Sequence, residues 1–114
     1  MALPKSPVNH NFTAYRGQPW YQNLRCKKAG EVMDLTGYTA EMQIRPSENS
    51  ARLTAQVHAE VTGVDGLISL ALTQDETADI VPGIYVYDLK MTNPNGVARY
   101  WMGGKFSIKG RVTA

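Results

Sequence analysis

Hydrophobic and polar positions alternate with a period of two along most of the chain from residue 12 onward. In segments 38–45 and 53–62, every second side chain is apolar and the intervening ones are polar or charged. This spacing places successive side chains on opposite faces of a β-strand. Further alternating or apolar runs of strand length cover 20–27, 67–72, 83–91 and 97–109. The pattern predicts an all-β chain.

Turn-forming residues separate these runs. Asp65-Gly66 and the segment Asn93-Pro94-Asn95-Gly96 predict tight turns, because proline presets φ and glycine accepts a positive φ. The pair Gly103-Gly104 interrupts the last run, which predicts a bulge or bend in that strand.

One segment has a helical signal. Thr73 and Glu76 have the spacing of a capping box, in which a hydroxyl and a carboxylate bind the first free amides of a helix. Pro82 follows soon afterwards and cannot continue a helix, so we expect the helical turn to end by about Val81.

The number of short strands and the regular turns between them are typical of a β-sandwich. In addition, the sequence Gly83-x-Tyr85-x-Tyr87 after the helical turn resembles the tyrosine corner of immunoglobulin domains. Tyr87 stands where that family often has its second cysteine. We predict an immunoglobulin-like antiparallel β-sandwich of about seven to eight strands, with one short helical turn before the sixth or seventh strand.

The first segment of the chain differs from the rest. Residues 1–11 contain Pro4 and Pro7 and have almost no periodicity, which predicts an extended N-terminal arm ahead of a single domain over 12–114. Two fates of the arm remain open: it is free and disordered, or it docks along a neighbouring subunit with Leu3 and Val8 as anchors.

Composition narrows the class of protein. Twelve Lys and Arg against ten Asp and Glu give a net charge of +2, dispersed along the chain, which argues against nucleic-acid binding. The start of the chain lacks the apolar stretch of a secretion signal, and no segment approaches the roughly 20 apolar residues of a membrane span. We therefore expect synthesis in the cytoplasm and no membrane partner. The lone Cys26 is expected to be a buried small hydrophobic residue.

The sequence contains no convincing catalytic or metal-binding set. His10 lies in the arm, His58 lies on a polar strand face, and the acids of segment 75–79 suit the first turn of a helix. Asp88 is expected to pair with a nearby arginine or lysine. We predict no enzymatic activity, no cofactor and no metal.

Three segments together resemble small virion proteins of tailed bacteriophages. They are Met33-Asp-Leu-Thr-Gly-Tyr-Thr-Ala-Glu-Met-Gln-Ile-Arg45, Asp65-Gly-Leu-Ile-Ser-Leu70 and Pro82-Gly-Ile-Tyr-Val-Tyr-Asp-Leu89, and the likeness spans about residues 12–113. Such domains occur as capsid decoration or staple proteins and as attachment domains of baseplate or tail-fibre proteins. The resemblance implies a structural role in a phage particle without specifying which structure.

Because the sequence ends at Ala114 with no linker, coiled coil or receptor domain behind the predicted domain, we expect a free-standing capsid decoration or cement protein rather than a tail, baseplate or fibre adaptor. The expected partner is the major capsid protein or another virion protein, and self-association is a further option. A stand-alone carbohydrate- or protein-binding module is the rival class. The predicted partner-binding residues are Leu3, Val8 and Phe12 as anchors, with Arg99 and Trp101 as exposed contacts.

Overall fold

The described part of the chain, residues 8–28 and 30–110 of a computed structural model, folds mainly as β-strands, which confirms the all-β class. Its helical segments are a 3₁₀ helix (Gly63–Asp65) and the helix α1 (Gln74–Ala78). The strands are β1 (Val8–Asn9), β2 (Phe12–Tyr15), β3 (Trp20–Arg25), β4 (Lys27–Lys28), β5 (Glu31–Val32), β6 (Thr39–Arg45), β7 (Ala55–Thr62), β8 (Leu67–Leu72), β9 (Gly83–Thr92) and β10 (Ala98–Lys109).

Eight strands form one continuous hydrogen-bonded sheet in the order β1-β10-β9-β6-β7-β8-β3, with β2 also paired to β10. The strands β1 and β2 run parallel to β10, whereas the other pairings of the sheet are antiparallel. The strand β7 joins the two halves of the sheet, since 55–57 pair with β6 and 58–62 pair with β8. The division into two facing sheets, as in an immunoglobulin-like sandwich, stays a prediction.

An aromatic cluster brings distant parts of the sheet together. Trp20 lies on β3, at one end of the strand order, and Phe106 lies on β10, near the other end. Their ring centroids are nevertheless 4.9 Å apart. Phe12 contacts the same two rings and lies 5.2 Å from Tyr87. The sheet therefore curls around these rings, which are all buried.

The period-two pattern correctly predicts which face of a strand is buried. On β6, Met42 and Ile44 are fully buried, while Glu41 is exposed. On β9, Leu89 is buried and its neighbour Asp88 is exposed. These faces follow from the alternation of side chains across a strand.

The capping box is confirmed. The amide of Glu76 donates to the Thr73 hydroxyl at 3.1 Å, and the amide of Thr73 donates to the Glu76 carboxylate at 2.7 Å. The helix α1 ends at Ala78, within the predicted limit. It precedes the ninth strand rather than the sixth or seventh, because the sequence pattern does not resolve the two-residue strands β1, β4 and β5.

A tyrosine hydroxyl is bonded back to the main chain at Tyr85, as expected from the Gly83-x-Tyr85-x-Tyr87 segment. The Tyr85 hydroxyl donates a hydrogen bond to the carbonyl of Val81, four residues upstream. This bond fixes the path of the chain between α1 and β9. Tyr87, two residues later, is buried in the aromatic cluster.

The last strand departs from the predicted alternation at Trp101. The register with β9 shifts between Tyr100 and Met102, so the bulge lies at Trp101 and not at the glycine pair that follows. A bulge reverses the alternation of faces at the extra residue. The prediction that Trp101 is exposed is therefore wrong: the side chain is 8% exposed and its ring packs against Tyr38, with centroids 5.8 Å apart.

Thr77 connects α1 to the turn between β2 and β3. Its hydroxyl donates to the Gln18 carbonyl at 2.8 Å and accepts from the Gly17 amide at 3.1 Å, and the residue is fully buried. A buried polar group that loses its partner costs about 1–3 kcal/mol. Thr77 therefore holds the turn that leads the chain from one half of the sheet to the other.

Replacing Thr77 by valine should lower the free energy of unfolding by about 1–3 kcal/mol, because the shape is kept and the Gln18 carbonyl and Gly17 amide lose their partner. Thr77→Ser keeps the hydroxyl and is the control, with a smaller loss. Chemical denaturation measures both. Equal stability of Thr77→Val and the parent chain would contradict this role.

Candidate functional site

The five predicted contact residues fall in different environments. Leu3 lies outside the described residues. Val8 is half-exposed on β1 and Arg99 is exposed on β10, whereas Phe12 and Trp101 are buried in the chain's own core. Val8 and Arg99 thus keep a surface position, and the rings of Phe12 and Trp101 do not offer a free contact surface. Trp101 therefore offers no stacking surface to a carbohydrate, whereas the rings of Tyr21 and Tyr100 are exposed, and the carbohydrate-binding alternative stays a prediction.

Residues 8–11 lie along the outer edge of β10. Val8 and Asn9 pair with Met102 and Gly103 in parallel register. The His10 amide donates to the Gly103 carbonyl at 3.0 Å. This part of the predicted arm is therefore bound to the domain, while the arm boundary at residue 11 stays a prediction.

Side-chain contacts complete the attachment of this segment. The Lys105 amide donates to the Asn11 side-chain oxygen at 3.0 Å, and the Tyr87 hydroxyl donates to the His10 carbonyl. Burial raises the pKa of the Tyr87 hydroxyl, which keeps it protonated as a donor. Gly104 leaves room for the chain, since a Cβ there would lie 2.4 Å from the His10 carbonyl oxygen.

An open groove of about 780 Å³ lies beside this segment, on the face of β6, β9 and β10 that points away from the core. One wall is formed by Val8, Asn9 and Asn11, and the opposite wall includes Arg45 and Glu48. The strand register explains the opening between them. Gly103 is level with Asp88, so the position on β10 next to this carboxylate has no side chain.

Arg45, a charged residue in the groove wall, forms several hydrogen bonds within the chain. The guanidinium of Arg45 donates to the carbonyls of Ser50 and Ala51 at 3.2 and 3.0 Å, and to the side-chain oxygen of Gln43 at 2.8 Å. The first two bonds hold Arg45 against the loop that follows β6, and the third holds it against Gln43, which is level with Asp88. All three acceptors are neutral, and Arg45 forms no ion pair within the described residues.

Asp88 forms no ion pair or side-chain hydrogen bond within residues 8–28 and 30–110. The prediction that it pairs with an arginine or lysine is therefore wrong for these residues: Arg45 binds the loop, and Lys90 lies 3.9 Å from Glu41. Desolvation raises the pKa of Asp88, and the charges of Arg45 and Lys90 offset only part of this effect. A carboxylate in the groove is thus left without a direct counter-charge from the described chain.

The remaining candidate chemistry is structural. The predicted exposure of His58 is confirmed, and its Nε2 lies 2.9 Å from both oxygens of Glu76. Cys26 packs against the core and is half-buried, and burial raises the pKa of its thiol. Over the ranges 8–28 and 30–110, no three His, Cys, Asp or Glu residues are grouped to hold a metal ion.

No protein-family model matches this chain, and no curated protein sequence matches it either. The helices in the described ranges are too short and too polar to cross a bilayer.

Removing the charge of Asp88 should stabilise the fold in a pH-dependent way. Because its pKa is raised in the folded chain, ionisation costs stability as the pH rises from the unfolded pKa through the folded pKa. In thermal denaturation at pH 7, Asp88→Asn should therefore unfold at a higher temperature than the parent. The gain in free energy of unfolding should be less than about 1 kcal/mol, because the Asp88 carboxylate is largely solvated. The difference should vanish near pH 3, below the ordinary pKa of an aspartate of about 3.9. A gain in stability that persists at pH 3 would contradict a raised pKa of Asp88 in the folded chain.

Removing the Tyr87 hydroxyl should loosen residues 8–11 from β10. Tyr87→Phe keeps the ring in the aromatic cluster and leaves the His10 carbonyl without its donor, at a cost of about 1 kcal/mol. Hydrogen exchange at the amides of His10 and Lys105 should become faster. Tyr100→Phe, at an exposed position, is the control and should leave both amides unchanged. Unchanged exchange in Tyr87→Phe would contradict the role of the hydroxyl.

Proposed function

We propose that this chain is a non-enzymatic structural protein of a phage particle, which binds the assembled capsid as a decoration or cement protein. The proposal draws its biological context from the resemblance of three sequence segments to small virion proteins. Its support from the structure is the arrangement of an N-terminal segment along the sheet edge beside an open groove. This arrangement offers an extended contact surface to a neighbouring protein.

The residues that carry the resemblance have structural roles in this chain. Leu35 is fully buried, and Gly37 has a φ of +84° where a Cβ would lie 2.8 Å from Pro94. Tyr85 closes the tyrosine corner. These positions specify the fold, so the resemblance supports a shared architecture more directly than a shared binding site.

The surface beside the sheet edge is the observation on which the function depends. Val8 is 50% exposed although it belongs to a strand, and it forms part of the groove wall. A partner that covers this wall and the groove would bury apolar and polar surface together, as in ordinary protein interfaces. A protein that binds only the assembled lattice stabilises that lattice by mass action.

Copy number in purified phage particles tests the proposed location. Quantitative mass spectrometry should find this chain in a fixed ratio to the major capsid protein, at a copy number comparable with that of the lattice sites. A few copies per particle, or recovery with isolated tails alone, would overturn the capsid assignment and favour a tail or baseplate adaptor.

Reassembly onto particles that lack the protein tests the contact surface. A chain without residues 1–7, which include Leu3, and the variant Val8→Ser should both bind less tightly than the parent, the deletion by about tenfold or more. Val64→Ser changes an exposed valine on the 3₁₀ helix and is the control for loss of apolar surface. Equal occupancy by all of these chains would show that this edge is not the attachment surface.

A further inference from the structure

Asp88 is a carboxylate with a defined position and no described partner. It lies between two strands in the middle of the sheet, level with Gln43 on β6 and Gly103 on β10. Strands on both sides fix its backbone, and the missing side chain at Gly103 leaves space beside it. This geometry differs from that of an exposed surface acid on a loop, which has no fixed surroundings.

Arg45 and Lys90, two cations near Asp88, are engaged by other groups, while Lys105 lies on β10 two residues beyond Gly103 and forms no ion pair within residues 8–28 and 30–110. Arg45 makes three hydrogen bonds to the loop and to Gln43, and Lys90 pairs with Glu41. Rearrangement of Arg45 toward Asp88 would give up its bonds to the two loop carbonyls. The groove therefore presents an acceptor group that the described chain does not use.

The wall groups around Asp88 define what can enter. Glu48 contributes a second carboxylate at the far wall, and Asn9 contributes an amide from the segment along β10. Lys105 lies on β10 level with Val86, two residues along the strand from the position next to Asp88. Lys105 also lines the groove, so its positive charge disfavours a ligand that carries several basic groups. A ligand with one basic group suits these walls better than a run of basic residues.

We propose that this groove binds the basic side chain of an arginine or lysine on a partner protein, with Asp88 as its counter-charge. The inference rests on the proposed function only in taking the ligand to be part of a protein. Arginine fits best, because its planar donors can bind a carboxylate and a neighbouring amide oxygen at the same time. Glu48 then adds a weaker attraction at the rim.

Nuclear magnetic resonance titration of the full chain tests this inference without a phage particle. The probe is the peptide acetyl-Gly-Arg-Gly-amide, and its citrulline analogue has the same shape without the charge. The arginine peptide should shift the amide resonances of Asp88, Gly103 and Gly104 with a dissociation constant of about 1 mM or weaker, because a partly exposed ion pair adds little binding free energy. Equal shifts with citrulline, or shifts confined to other parts of the chain, would overturn the proposal.

Three variants distinguish a specific role of Asp88 from a general effect of negative charge on binding. Asp88→Asn should weaken arginine-peptide binding by up to about fivefold, the effect of losing one partly exposed ion pair, and Glu48→Gln should weaken it less. Asp65→Asn removes the charge of an exposed aspartate on the 3₁₀ helix and should leave binding unchanged. The dispersion of the spectrum verifies that each variant is folded. Undiminished binding by folded Asp88→Asn would overturn the assignment.

The two proposals fail separately. Peptide binding is measured on the isolated chain, whereas the virion role is measured by copy number and occupancy on particles. A chain that occupies capsids but ignores the arginine peptide would refute the groove assignment alone. A chain that binds the peptide through Asp88 but is absent from particles would refute the virion role alone.

Discussion

The contact among Phe12, Trp20 and Phe106 is the interaction on which the rest of the structure depends. Phe12 and Phe106 lie on the paired strands β2 and β10, whereas Trp20 lies on β3 at the other end of the strand order. The three ring centroids are nevertheless 4.9–6.1 Å apart. Aromatic side chains bury large areas and prefer such tilted or edge-to-face arrangements. The curl of the sheet, the position of β2 along β10 and the surface that carries the groove all follow from this contact.

The same contact explains why the N-terminal segment belongs to the domain. Phe12 fixes β2 in the core, so residues 8–11 emerge next to β10 and find backbone partners there. The hydroxyl of Tyr87 reaches this segment from within the aromatic cluster. The core thus determines where the segment lies, and the segment in turn forms one wall of the groove. Stability and candidate function therefore share the same set of residues.

Much of the fold could be predicted from local sequence signals, and most of the site could not. Alternation identified the main strands, and the Thr73–Glu76 spacing and Tyr85 predicted local bonds correctly, because each signal acts within a few residues. Trp101 was misassigned because a bulge changes which face of the sheet the following residues occupy. The sequence indicated a bulge only through Gly103-Gly104, two positions after the residue where it occurs. The isolation of Asp88 depends on bonds made by Arg45 and Lys90 on neighbouring strands. The sequence pattern does not show which of several possible partners a charged side chain binds in the folded chain.

The parallel pairing of residues 8–15 with β10 also has a consequence for solubility. A sheet edge presents unpaired backbone groups that can recruit another strand and start aggregation. In this chain the N-terminal segment covers the edge of β10 from Met102 to Lys109, through backbone pairing and the side chain of Asn11. The residues that form the groove wall therefore also cover the backbone groups of β10, which prevents this edge from pairing with strands of other copies of the protein.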